Sequence, residues 1–390
     1  MESTNTVGGL EEFTLELFFA KHEFTAKYLM CCSDADSMKM KELLALADEE
    51  CLALWDDLSC CYTEAPGLPT LRREIATDYP GLVEDDIYCF SGAEEGIYTA
   101  MRALLTDQDH CIVVTPCYQS LKSVAASICE SYTALELQQD AGWVLDMAAL
   151  ASAIRPNTRM IVMNYPHNPT GALLTPAEQQ QVVHLCTKHD LYLFFDEVYR
   201  GIEAEGCERL PTLASIYPKG MSLGVVSKAL GLAGLRIGWI ACQNKEMVSK
   251  LSGYKHYLSI CNSAPSEILA LIALRNKDAI LTKNTAVTRA NQALVQEFMQ
   301  DPIYRGLFSW TPPRGGACGF MGFSQQPGLD WEKAAEAIIA SHSVLTLPGK
   351  YFSQQSANHF RVGLGRANFP EVLAQFKEAV AVLDFKALSN

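Results

Sequence analysis

The chain has 390 residues, 49% of them apolar and 19% charged, with a formal net charge of -14. That length can bury a large core and predicts two or three domains of an ordinary well-packed globular protein. The acidic balance argues against nucleic acid or an anionic membrane surface as a partner. Fourteen cysteines are scattered, with vicinal pairs Cys31-Cys32 and Cys60-Cys61 and no recurrent Cys-x-x-Cys at zinc-ligand spacing. Cys89, Cys111 and Cys242 sit inside apolar runs, where a thiol is a small hydrophobe. So many free thiols predict a reducing compartment. The opening Met1-Glu-Ser-Thr-Asn5 has no basic and apolar signal pattern. No apolar run approaches the ~20 residues of a spanning helix, so the expected location is the cytoplasm, away from membranes.

In chain order, Leu10, Phe13, Leu17, Phe18 and Phe24 alternate with Glu11, Glu12, Thr14, Glu16 and His22, which predicts an amphipathic helix over Leu10–Lys27. A second helix is predicted over Lys41–Leu58. From Ile87 onward, short apolar runs predict strands at Ile87–Phe90, Cys111–Thr115, Met160–Asn164, Leu191–Phe195, Leu223–Val226 and Leu235–Cys242. Helical periodicity falls between them, at Glu95–Leu105, Leu121–Cys129, Pro176–His189 and Lys245–Tyr257. Such alternation predicts an α/β fold, a mostly parallel sheet covered on both faces, with ligands at the carboxyl ends of its strands. After about residue 285 the pattern changes to a helix, the Pro- and Gly-rich stretch Phe308–Phe323, two short strands and a final helix over Pro370–Leu383. The expected organisation is a large domain over 46–284 and a smaller α+β domain over 285–390. Residues 1–45 join the latter and cover the site.

Five stretches carry chemistry. Ser91-Gly92-Ala93-Glu94-Glu95-Gly96 closes a strand and opens a helix, where backbone N–H groups can meet an anion; an ordinary strand-helix turn reads the same way. Thr115-Pro116-Cys117-Tyr118 places a ring just past a strand end, to stack on a planar ligand or to fill core. Asn164-Tyr-Pro-His-Asn168-Pro169-Thr170-Gly171 holds a side-chain amide between prolines. Leu191-Tyr-Leu-Phe-Phe195-Asp196 ends a fully apolar strand with an acid, which is costly unless it meets a cation: a protonated ligand ring, or Arg200 or Arg236. Finally, Gly224-Val-Val-Ser227-Lys228 puts an amine at the end of an apolar run, with Arg236 eight positions later. Desolvation lowers an amine's pKa, which suits it for Schiff-base chemistry.

These stretches, with Tyr62, Gly67 and Leu71-Arg72 before them and Pro348-Gly-x-x-Phe352 and Phe360-Arg361 after them, resemble the fold-type I pyridoxal-phosphate enzymes, specifically the class I/II aminotransferase superfamily. The resemblance runs in order along almost the whole chain and implies pyridoxal 5'-phosphate as cofactor. It makes Lys228 the residue that holds the cofactor as a Schiff base and then moves the proton at Cα. Asp196 would pair with the pyridinium nitrogen, Asn168 and Tyr199 would bond the phenolic oxygen, and Tyr118 would stack on the ring. The phosphate would lie on the backbone N–H groups of Gly92, Ala93 and Glu94, with Ser227 and Arg236. Tyr62 matches a tyrosine that reaches the phosphate of the neighbouring subunit, which implies a homodimer. Arg361 matches the arginine that clamps the substrate α-carboxylate. One position departs from the pattern: Val225 stands where many relatives carry a second phosphate-binding serine.

That machinery specifies Cα chemistry on an amino acid and leaves the reaction open. Tyr28-Leu-Met-Cys-Cys-Ser-Asp-Ala-Asp36 replaces the usual apolar-Gly-x-Pro opening and looks like the small subgroup of hydroxyarginine cyclases that includes capreomycidine synthase and enduracididine-forming relatives. This implies a cyclodehydratase acting on a substrate with a guanidinium group. Glu11 and Thr14, three apart on the predicted helix, are the candidate acceptors for that group, and His22 the candidate for the leaving hydroxyl's proton. A solvated helix face explains each of the three equally well. The alternative reaction is transfer of the amino group to a 2-oxo acid. A scaffold or transcription factor on a degenerate fold is disfavoured by intact Lys228, Asp196 and Arg361 and by the lack of a basic DNA-binding module.

Overall fold

The computed structural model describes residues 6–7, 9–324, 329 and 331–384. The first five residues, on which the signal-peptide reading falls, lie outside them. Seven strands form the main sheet: β1 (Ile87–Phe90), β2 (His110–Thr115), β3 (Ser131–Glu136), β4 (Thr158–Asn164), β5 (Tyr192–Asp196), β6 (Gly220–Val225) and β7 (Gly238–Ala241). Their order is β1-β7-β6-β5-β4-β2-β3, and only β7 runs against its neighbours. Strands β1, β2, β5, β6 and β7 are buried at every position, because helices cover both faces of the sheet. Strand β3 went unrecognised in the sequence for the opposite reason: it is an edge strand whose residues alternate between partly buried and exposed.

The helices were placed to within a few residues in the sheet region, and less well before it. The predicted Leu10–Lys27 helix is shorter: α1 spans Thr14–His22, and Leu10–Glu11 instead pairs with Thr6–Val7 in a small hairpin. Lys41–Leu58 is two helices, Met40–Leu44 and Glu49–Asp56, the second starting where the Asp48 carboxylate accepts a bond from Cys51 N–H at 2.8 Å. Two further helices that matter below are α2 (Ala93–Leu104), which follows β1, and α3 (Gln119–Ala126), which follows β2.

The helix Lys277–Gln300 leads from the main sheet to a four-stranded antiparallel sheet of β8 (Phe308–Trp310), β9 (Cys318–Phe323), β10 (Leu347–Pro348) and β11 (His359–Gly363), ordered β8-β9-β11-β10. Its core is aromatic, with Trp331 and Phe360 stacked at 4.1 Å and Phe308 edge-on to both. The N-terminal segment belongs to this layer. Tyr28–Leu29 pairs in parallel with Val344–Leu345, and Gly363 N–H donates to Met30 C=O at 2.6 Å. The segment runs so close to β11 that a Cβ on Gly363 would lie 1.9 Å from Cys32 C=O.

Gly363→Ala therefore forces two backbones apart and is expected to cost about 1–3 kcal/mol. The denaturant midpoint should fall at constant slope, while Gly253→Ala, whose Cβ meets nothing within 4 Å in the helix Lys245–Lys255, should leave it unchanged or raise it. Equal behaviour of the two variants would contradict this packing.

Candidate active site

The sheet topology gathers the polar signals at one edge. Ser91-Gly92, Tyr118, Asn164, Asp196 and Ser227-Lys228 all lie at or just past the carboxyl ends of parallel strands. Arg236 precedes β7, and because β7 is antiparallel its start reaches the same edge. Tyr118, Asn164, Asp196, Ser227, Lys228 and Arg236, with Ala93 next to Gly92 and Arg361 from β11, border a cavity of about 670 Å³ between the two sheets, lined also by Phe13, Glu16, Phe19, Glu23, Cys32, Ser33, Asp34 and Arg366.

One end of the cavity is built for an anion. Gly92 has φ of +93°, and a Cβ there would lie 2.3 Å from an Arg236 guanidinium nitrogen, so glycine is what lets the guanidinium sit against the amino end of α2. Arg236 itself is held at φ of +53°, an uncommon backbone state for a non-glycine residue. The Ser227 hydroxyl is buried beside this end without a hydrogen-bond partner. Val225 lines the cavity and brings no donor, so the phosphate-binding serine seen in many relatives has no counterpart at that position.

The middle of the cavity holds the titratable groups. Asp196 is buried, and one carboxylate oxygen accepts from Val198 N–H at 3.1 Å. Neither arginine considered from the sequence pairs with it: Arg200 lies 3.9 Å from Glu197, and Arg236 lies at Gly92. Burial pushes the Asp196 carboxyl up to about 7, against the pull of the Val198 hydrogen bond and the Lys228 charge. Burial lowers the pKa of the Lys228 amine, and the Arg361 charge lowers it further. The Lys228 Nζ donates to Ser33 Oγ at 3.3 Å. The Tyr199 hydroxyl is buried next to the Ser33 hydroxyl, and burial holds its pKa well above the usual range, against the pull of Ser33.

Arg361 is also buried, fixed by a bond from its Nε to Cys31 C=O at 2.8 Å and from Nη1 to Asn168 Oδ1 at 3.1 Å. Asn168 is in turn aimed by its own N–H, which donates to Asn164 Oδ1 at 2.7 Å. Tyr118 lines the cavity and donates to Glu16 at 2.6 Å. Tyr62 is 84% exposed and outside the cavity in a single chain. The Glu94 carboxyl faces the cavity, and burial pushes it up to about 7.

The three substrate candidates from the N-terminal helix are elsewhere. Glu11 lies outside α1, bonded to Ser123 and 3.3 Å from Lys122 on α3. Thr14 donates to Gln119 at 3.1 Å, and His22 packs on Phe18 at 4.9 Å with its Nε2 buried and unpartnered. Because α1 starts at Thr14 instead of Leu10, Glu11 falls in the hairpin before it and does not share a helix face with Thr14. Glu16 and Glu23, on the same stretch, line the cavity in their place, and Ser33 and Asp34 of the replaced opening line it too. Their acidity was visible in the sequence, whereas their orientation required the true start of α1.

The set fits pyridoxal phosphate. Its phosphate suits the Gly92–Arg236 cradle and the orphaned Ser227 hydroxyl, its protonated ring nitrogen would give the buried Asp196 carboxylate an ion-pair partner, and its phenolic oxygen would accept from the buried Tyr199 hydroxyl. In the cofactor-free chain an Asp196 pKa near 7, against ~3.9 unfolded, means that the unfolded state binds fewer protons over that interval. Stability then falls as pH rises from about 4 to about 7. Asp196→Asn removes this contribution. At pH 8 the cofactor-free variant should melt higher than the cofactor-free native chain, with a smaller difference at pH 4; equal melting temperatures at both pH values would contradict the assignment.

Comparison with known proteins gives the family. The family model for aminotransferase class I and II matches residues 34–376. Over 357 residues the chain is 29% identical to capreomycidine synthase of Streptomyces vinaceus, covering 90% of this chain and 88% of that one. It is 26% identical to the arginine–pyruvate transaminase of Pseudomonas aeruginosa, covering 78% and 77%. Among solved structures, a PLP-dependent aminotransferase from Streptococcus suis superposes with a TM-score of 0.88 at 25% identity, covering 96% of this chain and 99% of that one. With the family match spanning most of its length, the chain belongs to the class I and II aminotransferases, fold-type I enzymes whose cofactor is pyridoxal 5'-phosphate.

Proposed function

We propose that this enzyme is a cyclodehydratase that converts a hydroxylated arginine to a cyclic guanidino amino acid. The observation that carries the reading is the distribution of charge in the cavity: Arg361 is fixed by Cys31 and Asn168, and Glu16 and Glu23 line the same space. An α-carboxylate suits the arginine fork, and a guanidinium suits the carboxylates. Asp34, which also lines the cavity, is paired with Arg366 at 3.0 Å, while Glu16 accepts a hydrogen bond from the Tyr118 hydroxyl at 2.6 Å. The similarity to capreomycidine synthase supports the same reading.

Bound pyridoxal phosphate supplies the electron sink for Cα deprotonation. In this reading Lys228 would hold the cofactor and then take the Cα proton, Asp196 would keep the ring nitrogen protonated, and Asn168 and Tyr199 would bond the phenolic oxygen. Tyr118 would stack on the ring, and Gly92, Ala93, Glu94, Ser227 and Arg236 would hold the phosphate. The net reaction loses one water, as the side-chain hydroxyl leaves with a proton and a guanidine nitrogen bonds to the chain carbon. Tyr62 and Tyr257, 84% and 92% exposed, supply aromatic surface for a homodimer in which Tyr62 reaches the partner's phosphate. The similarity to an arginine–pyruvate transaminase favours one second reading, amino transfer from arginine to a 2-oxo acid, which shares the Cα step.

The two are separated by incubating the holoenzyme with β- or γ-hydroxyarginine in deuterated water without any oxo acid. Cyclisation yields a product lighter by one water with deuterium on carbon; turnover only in the presence of 2-oxoglutarate refutes it. For recognition, Glu16→Gln and Glu23→Gln should each raise KM for the guanidino substrate about 10- to 100-fold, as loss of a charge-assisted bond requires. An unchanged KM in both variants would remove the carboxylates from substrate binding.

A further inference from the structure

Ser33 is not among the residues that the family resemblance assigns, yet its hydroxyl is the hydrogen-bond acceptor for the Lys228 amine, at 3.3 Å. The geometry is set by the backbone. Ala35 N–H donates to the Lys228 carbonyl at 3.1 Å, Asp36 N–H to Gly365 C=O at 3.1 Å, and Asp34 is tied to Arg366. On the other side the segment is pressed against β11, where Gly363 leaves no room for a Cβ. A hydroxyl carried on so constrained a turn is a fixed point against which a flexible lysine side chain can be aimed. Ser33 is itself buried and borders the cavity.

We propose that Ser33 is a positioning residue for Lys228, accepting a hydrogen bond from the amine whenever it is not joined to the cofactor and so fixing both its direction and its charge state. This rests on Lys228 being the cofactor-bearing lysine and is independent of which substrate the enzyme takes. The charged and titratable groups facing the amine are Arg361 from β11, Asp34 and Glu23 from the N-terminal segment, Cys318 from β9, and Asp196 after β5. Against that background a hydroxyl oxygen stabilises the ammonium form, so its removal shifts the amine's titration to lower pH.

The test uses cofactor-free full-length enzyme and pyridoxal phosphate as the probe. The rate at which the visible-edge absorbance develops is followed against pH, since only the neutral amine captures the aldehyde. Ser33→Ala should move the half-maximal pH down by about one unit, the size of one hydrogen bond to a charged group. Ser33→Thr, which keeps the hydroxyl, should retain the native midpoint. Ser33→Cys, similar in shape with a weaker acceptor, should fall with the alanine variant, which separates hydrogen bonding from packing. As a second readout, exchange with deuterated water of the Cα hydrogen of any amino acid that the native enzyme exchanges should slow about tenfold in Ser33→Ala with KM little changed. A midpoint unmoved in both Ser33→Ala and Ser33→Cys overturns the proposal. A native enzyme in which Lys228→Ala leaves the absorbance intact overturns it together with the assignment of Lys228, so the two failures are distinguishable.

Discussion

A carboxylate buried at the end of β5 without a cation beside it is the constraint on which the rest of the site depends. Asp196 is desolvated by the same apolar strands that make the sheet, and its one direct hydrogen bond, from Val198, does not offset that burial. In the cofactor-free chain that burial holds its carboxyl up at about 7. A ligand with a positive ring nitrogen turns this penalty into an interaction, and the neighbouring features are placed to suit the rest of such a ligand. The Gly92–Arg236 cradle lies at one end and the Tyr199 hydroxyl and Lys228 amine lie around its middle. A fold that leaves an acid, a phenol and a serine hydroxyl buried and incompletely satisfied at one edge is organised for binding more than for stability alone.

The N-terminal segment gives that common platform its particular chemistry. It is held by pairing of Tyr28–Leu29 with Val344–Leu345, by the contact with Gly363 and by the Asp34–Arg366 ion pair, and it delivers both Ser33 and the acids Glu16 and Glu23 to the cavity. The cavity is thus lined by a buried arginine from β11 on one side and by acidic residues from α1 and the turn after it on another. The main sheet carries the residues shared across the family, and the first 36 residues complete the cavity around them.

The parts of this arrangement legible in the sequence were those written in short, rigid signals. Buried strands read as apolar runs, and the polar residues ending them, Asp196, Lys228 and the Asn164–Gly171 octet, were identified because a charge or a pair of prolines there is costly without a purpose. The amphipathic edge strand β3 gave no such run. The acids that line the cavity were harder to read, because the helix begins at Thr14 and Glu11 therefore lies outside it, while Glu16 and Glu23 reach the cavity through tertiary packing that no local pattern shows. Glu11 was drawn into a hairpin instead, so the pair Glu11–Thr14 never shares a face. The contact between Ser33 and Lys228 joins residues 195 apart in the chain, and no local pattern announces it.

A crystal structure of Lys228→Ala enzyme with pyridoxal phosphate and arginine bound shows whether the cavity reads both ends of a guanidino amino acid. The α-carboxylate is expected on Arg361 and the guanidinium against Glu16 and Glu23. An arginine whose guanidinium points to solvent, with both glutamates left unengaged, would contradict it.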